Sequence, residues 1–154
     1  MSILACVGRN KRRSYPKVYG FFNSDHFKNI QPVSGSQEAI NEIAKDHDLV
    51  IITSRQHDIK NHTIDWIQQH FPETFFGIHF GNHYGLSGQK KSKLEMCDML
   101  NIDMLIEDSA DYANECANSN RKVLLFDTPW NRNIKLNSGN IYRINSWYEV
   151  LDHI

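Results

Sequence analysis

The sequence has few cysteines, and their number and spacing exclude two common kinds of structural site. Cys6, Cys97 and Cys116 are odd in number and lack Cys-x-x-Cys spacing. We therefore expect neither a disulfide framework nor a thiolate zinc site. We predict that the three thiols are buried or unreactive.

Long hydrophobic runs are also missing. The longest apolar stretches, residues 49–52 and 123–126, are far shorter than the roughly 20 residues that span a bilayer. Near the amino terminus, the apolar segment 2–7 precedes the basic segment 9–13, which reverses the order of a signal peptide. These features predict a cytoplasmic protein with no membrane contact.

Neither sign of charge is in excess. Seventeen Lys and Arg residues against eighteen Asp and Glu residues give a formal net charge of -1. This balance argues against a nucleic-acid partner held by a long-range field. The alternative is a nucleic-acid module built on basic and aromatic residues 9–19, but we interpret residues 1–20 as a divergent or irregular, solvated segment. The sequence carries no prediction of oligomeric state.

The pattern of hydrophobic residues predicts one α/β domain over residues 1–154. Short β-branched runs alternate with amphipathic stretches, which is typical of a three-layer Rossmann-like fold with a parallel sheet and helices on both faces. Ser34 and Gln37 have the spacing of a capping box for the helix that ends near Asp46. We predict strands at residues 49–53, 76–80, 104–106, 123–126 and 141–144, with a weaker first strand at 3–7. Predicted helices fill residues 34–46, 59–71, 92–100, 109–117 and 146–153.

Polar side chains follow three of the predicted elements at the carboxyl edge of the sheet, where ligands of such folds gather. Hydroxyl and ammonium groups suit an anionic oxygen group, and an acidic pair suits a magnesium ion that bridges to it. The residues are Thr53, Ser54, Arg55, Lys90, Lys91, Lys93, Glu107 and Asp108. A phosphoryl group fits this set best.

The order and spacing of these residues resemble the haloacid dehalogenase-like (HAD) superfamily of phosphohydrolases. Thr53 closes a strand as in motif II, Lys93 stands near a helix start as in motif III with Lys91 as its rival, and Glu107 and Asp108 close a strand as in motif IV. The resemblance implies catalytic roles for Thr53, Lys93 and Asp108. It further implies a metal site at Asp108 and Glu107 and a phosphate site formed by Thr53, Ser54, Arg55, Lys91 and Lys93.

Residues 125–132 narrow the resemblance to one branch of the superfamily. The Pro-Trp-Asn turn at 129–131 is similar to that of nucleotidase-like members, including 5'(3')-deoxyribonucleotidases. The resemblance covers about residues 21–132 and implies a fold without a large cap. It also implies a small phosphate-containing molecule or nucleotide as partner and Mg²⁺ as a weakly held cofactor.

The sequence departs from the superfamily at the nucleophile. HAD phosphatases begin with a strand that ends in Asp-x-Asp, and no predicted strand here ends in such a pair. The segment Ile3–Val7 ends without a carboxylate, and Asp25 resembles the stretch before motif II. We therefore expect a degenerate phosphohydrolase with little turnover. The alternative is a catalytically inactive protein that binds phosphate, a nucleotide or a protein partner, while Cys6 or Asp25 as a substitute nucleophile is a weaker hypothesis.

The histidines do not have the spacing of a metal site. His57, His62, His70, His79 and His83 form no His-Glu-x-x-His or similar motif. His57 follows the Thr53–Arg55 segment closely, so we expect it to be the histidine that touches substrate. The others are predicted to lie on the surface or in the core.

Overall fold

The computed structural model describes residues 20–83, 85 and 88–154. The predicted strand at 3–7, Cys6 and the basic and aromatic residues 9–19 lie outside these residues. The strands are β1 Val50–Thr53, β2 Gly77–Phe80, β3 Met104–Glu107, β4 Lys122–Phe126 and β5 Ile141–Ile144. The helices are α1 Asp25–Lys28, α2 Ser36–Ile43, α3 Lys60–His70 after a 3₁₀ turn at His57–Ile59, α4 Lys93–Met99, α5 Ala110–Cys116 and α6 Trp147–Leu151. The α/β prediction is confirmed.

All five strands run parallel, but within the described residues they form two hydrogen-bonded sheets. Strand β1 pairs with β2, so that Thr53 lies opposite Phe80. Strand β4 pairs with β3 on one side and with β5 on the other, which leaves β5 at an edge of the described sheet. The described strands therefore do not form the one continuous sheet that was expected. Strand β1 pairs only with β2, and β3 pairs only with β4, among these residues.

Two hydrophobic clusters show that both sheets nevertheless share one layer. On one face, Ile52 of β1 packs against the cluster that contains Leu105 of β3 and residues of α4 and α5. On the other face, Leu49 packs against the cluster that contains Leu124 of β4 and residues of α2 and α6. Helices cover both faces, which confirms the three-layer arrangement and excludes water from the strands between them.

Serine side chains cap four of the described helices, one of them Ser24 at the start of α1. Ser92 forms a capping box with Glu95, and Ser109 and Ser146 each accept a hydrogen bond from a backbone N–H of the first turn. The capping box at Ser34 is wrong, because Gly35 is the N-cap of α2 and has a φ of 78°. Glycine adopts this left-handed conformation without the steric cost that serine would meet.

The two described cysteines are buried, as predicted. Cys97 and Cys116 have no exposed surface and belong to the cluster between α4, α5 and the sheet. Within residues 20–83, 85 and 88–154, no helix is long and apolar enough to cross a membrane.

Candidate functional site

The carboxyl ends of β1 and β3 are joined by a chain of side-chain contacts, although the two strands are not paired with each other within the described residues. Ser54, just after β1, donates a hydrogen bond to the hydroxyl of Tyr112 with an O–O distance of 3.1 Å. The ring of Tyr112 lies under Lys93, with 4.7 Å between the Nζ atom and the ring centroid. Lys93 in turn bonds to Glu107 at the end of β3. The structure thus brings residues of all three predicted motifs to one edge.

Lys93 and Glu107 form a buried ion pair. Their side chains are 7% and 2% exposed, and the Lys93 ammonium donates to Oε2 of Glu107. The other oxygen, Oε1, accepts the backbone N–H groups of Asp108 and Ser109 at 3.0 Å each. Burial by itself raises the pKa of Glu107, but the Lys93 ammonium outweighs it and leaves the pKa below its ordinary value. Glu107 is therefore an ionised partner of Lys93.

Asp108 differs from its neighbour because no cation neutralises its carboxylate among the described residues. Burial, followed by the adjacent Glu107, raises the pKa of Asp108 to about 6. Ionised Asp108 is therefore held at an energetic cost near neutral pH. Such a carboxylate is poised to accept either a proton or a cation.

The backbone of Asp108 is fixed by the Pro-Trp-Asn turn. Its carbonyl oxygen accepts Nε1–H of Trp130 at 3.2 Å and Nδ2–H of Asn131 at 2.8 Å. Asn131 also donates to the carbonyl of Phe126 at 2.7 Å, which ties the ends of β3 and β4 together. Sequence analysis identified this turn by resemblance but gave it no structural role.

Asn131 is itself held by a charged network behind the site. It has no exposed surface, and its Oδ1 atom accepts NH1 of Arg143 at 2.8 Å. Asp127 binds Arg143 at 3.0 Å and Arg132 at 2.7 Å. The hydrogen bond from Arg132 is the main reason that the pKa of Asp127 lies below its ordinary value. The turn behind Asp108 is therefore braced by buried and partly buried hydrogen bonds.

The predicted phosphate ligands after β1 have different orientations. The hydroxyl of Thr53 accepts the backbone N–H of Arg55 at 3.3 Å, which leaves its own O–H as a donor for another acceptor. The guanidinium of Arg55 instead donates to Thr63 of α3 at 3.0 Å and lies 5.9 Å from the ring centroid of Phe27. Arg55 is therefore engaged in packing α1 and α3 onto the end of β1.

Lys91 and Lys93 point in different directions although only Ser92 separates them. Lys93 reaches Glu107, whereas the Nζ atom of Lys91 lies 3.8 Å from the sulfur of Met99. The backbone of Gly81 connects the end of β1 to the segment of Lys91. Its N–H donates to the Thr53 carbonyl, and its carbonyl accepts the backbone N–H of Lys91. A Cβ atom at Gly81 would come within 2.7 Å of the Lys91 carbonyl oxygen, so this close approach requires glycine.

The remaining candidates lie around the rim or away from the site. Asp25 is at the surface with its side chain 91% exposed, 3.6 Å from Lys28. His57 lines a cleft beside β2. The ring of His83 lies 6.5 Å from that of Tyr112, edge to face. Asp25 therefore does not face the Lys93–Glu107 pair in this structure.

The oxygen donors at this edge can be compared with the ligands that a magnesium ion requires. In the described part of the chain, no three His, Cys, Asp or Glu side chains come together as a metal site. Both oxygens of Glu107 are already engaged, so Asp108 is the carboxylate left to act as a ligand. Mg²⁺ commonly takes one or two carboxylates with phosphate oxygens and water, and the raised pKa of Asp108 shows a carboxylate that a cation would stabilise. This donor set fits a weakly held ion.

Sequence reasoning missed Tyr112. Its signal was its place three residues after Ser109, the N-cap of α5, because a helical side chain there leans back toward the strand end. Tyr112 contacts both Ser54 and Lys93, so it connects two predicted motifs.

Comparison with protein families assigns the chain. A family described as "5' nucleotidase, deoxy (Pyrimidine), cytosolic type C protein" matches residues 9–154. The chain belongs to this nucleotidase family. Membership confirms the resemblance to the HAD-like nucleotidase branch, with a match that extends beyond the residues on which the resemblance was based.

Curated relatives are similar over part of their length. A putative nucleotidase from Halalkalibacterium halodurans is 31% identical over 125 residues, which cover 80% of this chain and 59% of the relative. A nucleotidase from Clostridium acetobutylicum is 30% identical over 74% of this chain and 54% of its own length. A 5'(3')-deoxyribonucleotidase from Bacillus subtilis is 24% identical over 86% of this chain and 67% of its own length. The matched region thus spans a little over half of the first two relatives. No solved structure shows significant similarity to the chain.

Proposed function

We propose that the chain binds the phosphate of a small phosphomonoester, of the nucleotide class, at the edge formed by Thr53, Ser54, Lys93 and Asp108. The observation that carries the proposal is the contact chain Ser54–Tyr112–Lys93–Glu107, which joins hydroxyl, ammonium and carboxylate groups from three separate segments. Family membership supports a nucleotide as the substrate class.

Each group has a definite part in this proposal. The hydroxyl of Thr53 donates a hydrogen bond to a phosphate oxygen, and Ser54 turns its one O–H from Tyr112 to a second phosphate oxygen when the ligand binds. Lys93 supplies positive charge that Glu107 keeps in place. Charge-assisted bonds of this kind are stronger than neutral ones. Tyr112 acts as a positioning residue because it supports both Ser54 and Lys93.

Asp108 makes the binding depend on pH or on a cation. When ionised, it repels a phosphate at the same edge; when protonated or bound to a cation, it does not. Mg²⁺ held by Asp108 would neutralise charge on the carboxylate and on the phosphate together. Trp130 and Asn131 keep the backbone of Asp108 fixed for that role.

We further propose that the chain hydrolyses phosphomonoesters slowly or not at all. No strand ends in an Asp-x-Asp pair, because the one pair with this spacing, Asp46 and Asp48, precedes β1. Loss of a covalent nucleophile usually costs several orders of magnitude in rate. The alternative is a binding protein without hydrolytic activity that acts through a partner. A cytoplasmic location is part of the proposal, in keeping with the word cytosolic in the family description.

Two measurements on the purified chain test these statements. Calorimetry with deoxynucleoside monophosphates should show binding at millimolar or lower concentration, weakened by Ser54→Ala and unchanged by Ser119→Ala at an exposed position. A phosphate-release assay with magnesium should show little turnover. Absence of binding would contradict the site, whereas fast release abolished by Asp108→Asn would contradict the proposed degeneracy and favour an active nucleotidase.

A further inference from the structure

A cleft beside strand β2 has the chemistry of a second anion site. It has a volume of about 310 Å³ and lies between β2, the start of α3 and helix α4. We call it the β2 cleft; its lining includes His57, Lys60, His79, Phe80 and Lys91. None of the functions described above uses these residues together.

The polar lining of the β2 cleft is basic. Two lysines and two histidines contribute to it, together with the amide of Gln89, and none of the described residues that line the cleft is a carboxylate. Among the described residues, the ion pairs of Lys28, Lys45 and Lys93 contrast with Lys60 and Lys91, which form none. Two ammonium groups without an ion-pair partner among the described residues raise the local concentration of anions.

The apolar lining sets the shape of the ligand. Phe80, Met96, Met99 and Leu100 form the apolar part, and methionine side chains adapt to different ligand shapes. The Nζ atom of Lys60 lies over the Phe80 ring, 5.7 Å from its centroid, so the cleft presents a cation next to an aromatic ring. The volume of the cleft is at the lower end of the range for small-molecule pockets, which starts at roughly 300 Å³. The cleft would therefore hold one ring with an attached anionic group.

The proposed phosphate site formed by Thr53, Ser54, Lys93 and Asp108 is called the Thr53–Asp108 edge. The β2 cleft is separate from this edge but adjacent to it. Lys91, on the cleft side, donates its backbone N–H to the Gly81 carbonyl at 2.9 Å. On the other side, the Gly81 N–H donates to the Thr53 carbonyl at 2.7 Å. One backbone segment therefore separates the two places, and a ligand in the cleft would contact residues adjacent to that segment.

We propose that the β2 cleft is a second binding site, for a small phosphomonoester that carries a single planar ring. The ring packs on Phe80 and the methionines, while Lys60 and Lys91 bind the phosphate. This inference does not require hydrolysis, nor does it require binding at the Thr53–Asp108 edge.

The test is an NMR titration of the full chain with phenyl phosphate, followed at the ring protons of His57 and His79. Both signals should shift. Binding should weaken at least about tenfold in the double variant Lys60→Ala with Lys91→Ala, because each lysine contributes a charge-assisted bond. A Lys60→Arg with Lys91→Arg variant should retain binding. The matched control is Lys28→Ala with Lys45→Ala, which removes two exposed lysines that have carboxylate partners.

Two further ligands test the assigned chemistry. Inorganic phosphate and phenol should each bind at least about tenfold more weakly than phenyl phosphate, since each lacks half of the contacts. Equal binding of either would overturn the assignment. So would histidine signals that stay still at millimolar phenyl phosphate, or an equal loss of binding in the control.

The same spectra distinguish binding in the β2 cleft from binding at the proposed phosphate site. The backbone amide signals of Ser109 and Tyr112 report on the Thr53–Asp108 edge, whereas His57 and His79 report on the β2 cleft. If only the amides shift, the cleft inference is wrong. If only the histidines shift, the cleft is occupied and the proposed phosphate site is wrong.

Discussion

The two sheets differ in how firmly they hold their part of the site. Strand β4 contributes Val123, Leu124 and Leu125 without any exposed surface, and the end of β3 is fixed through Glu107 and Asn131. All four residues of β1 are only partly buried, and β1 pairs with β2 alone within the described residues. The acidic end is therefore built into a braced sheet, whereas the hydroxyl end is joined to it by side chains from α4 and α5. The difference teaches that the connection between the sheets, through Lys93 and Tyr112, is where the site can be broken.

Breaking the Lys93–Glu107 pair should have the largest effect. Lys93→Met leaves an ionised carboxylate buried without its cation, so we expect a loss of about 3–5 kcal/mol in the free energy of unfolding. Urea denaturation measures it. The double variant Lys93→Met with Glu107→Leu should recover most of the loss because no buried charge remains. Lys91→Met serves as the control, and an equal loss there would contradict the assigned pairing.

Removing the brace behind Asp108 should have the next largest effect. Asn131→Ala leaves the carbonyl of Phe126 without the Asn131 amide and removes one of the hydrogen bonds of Arg143, which keeps Asp127, so we expect a cost of about 2–3 kcal/mol. Thermal unfolding compares it with Asn133→Ala, an exposed position in the same turn. If both variants lose the same stability, Asn131 does not brace the end of β3.

Asp108→Asn should stabilise the protein near neutral pH. The folded-state pKa of about 6 lies above the unfolded value, so the stabilising contribution of protonated Asp108 is fully present below about pH 4 and lost as the pH rises through 6. The asparagine variant avoids this loss. After allowance for partial exposure, we expect it to be more stable by about 1–2 kcal/mol at pH 8 and no more stable at pH 4.

Urea unfolding at a series of pH values measures this difference. A variant that is less stable than the parent at pH 8 would show that the Asp108 carboxylate has a stabilising partner. Sulfate, whose charge does not change between pH 5 and 8, should bind more tightly to the parent as the pH falls through 6. The asparagine variant should lose most of this pH dependence.

The smallest effect should come from the hydrogen bond between the sheets. Tyr112→Phe keeps the ring under Lys93 and removes the hydroxyl that accepts from Ser54, so we expect a loss of about 0.5–1 kcal/mol. Hydrogen exchange at the amides of β1 should increase more than exchange in β4. Tyr148→Phe, at an exposed position, should change neither; a uniform increase across both sheets would contradict a local connection.

The fold could be predicted further than the site. Strands 123–126 and 141–144 were predicted because β-branched and apolar runs mark buried strands, and Ser109 and Ser146 were recognisable as caps. The short helix α1 was missed because four residues carry no helical periodicity, although Ser24 does cap it. Gly35 displaced the Ser34 cap because the turn needs a positive φ.

Pairings between distant segments could not be predicted from local patterns. The packing of α4 decides which lysine reaches the acidic pair. In the structure, Lys93 bonds to Glu107, whereas Lys91 lines the β2 cleft. The binding of Glu107 to two backbone N–H groups likewise depends on the turn after β3. Nor does a strand's composition reveal which of its edges is paired, so the pairing seen among the described strands could not be derived from it.

The central claim is that an anion binds where the two sheets meet, and an amide NMR titration with a deoxynucleoside monophosphate in the presence of magnesium tests it most directly. We predict concentration-dependent shifts concentrated at Ser54, Lys93 and Asp108, reduced in Ser54→Ala and retained in Ser119→Ala. Shifts absent from these three residues at millimolar ligand, or unaffected by Ser54→Ala, would contradict it.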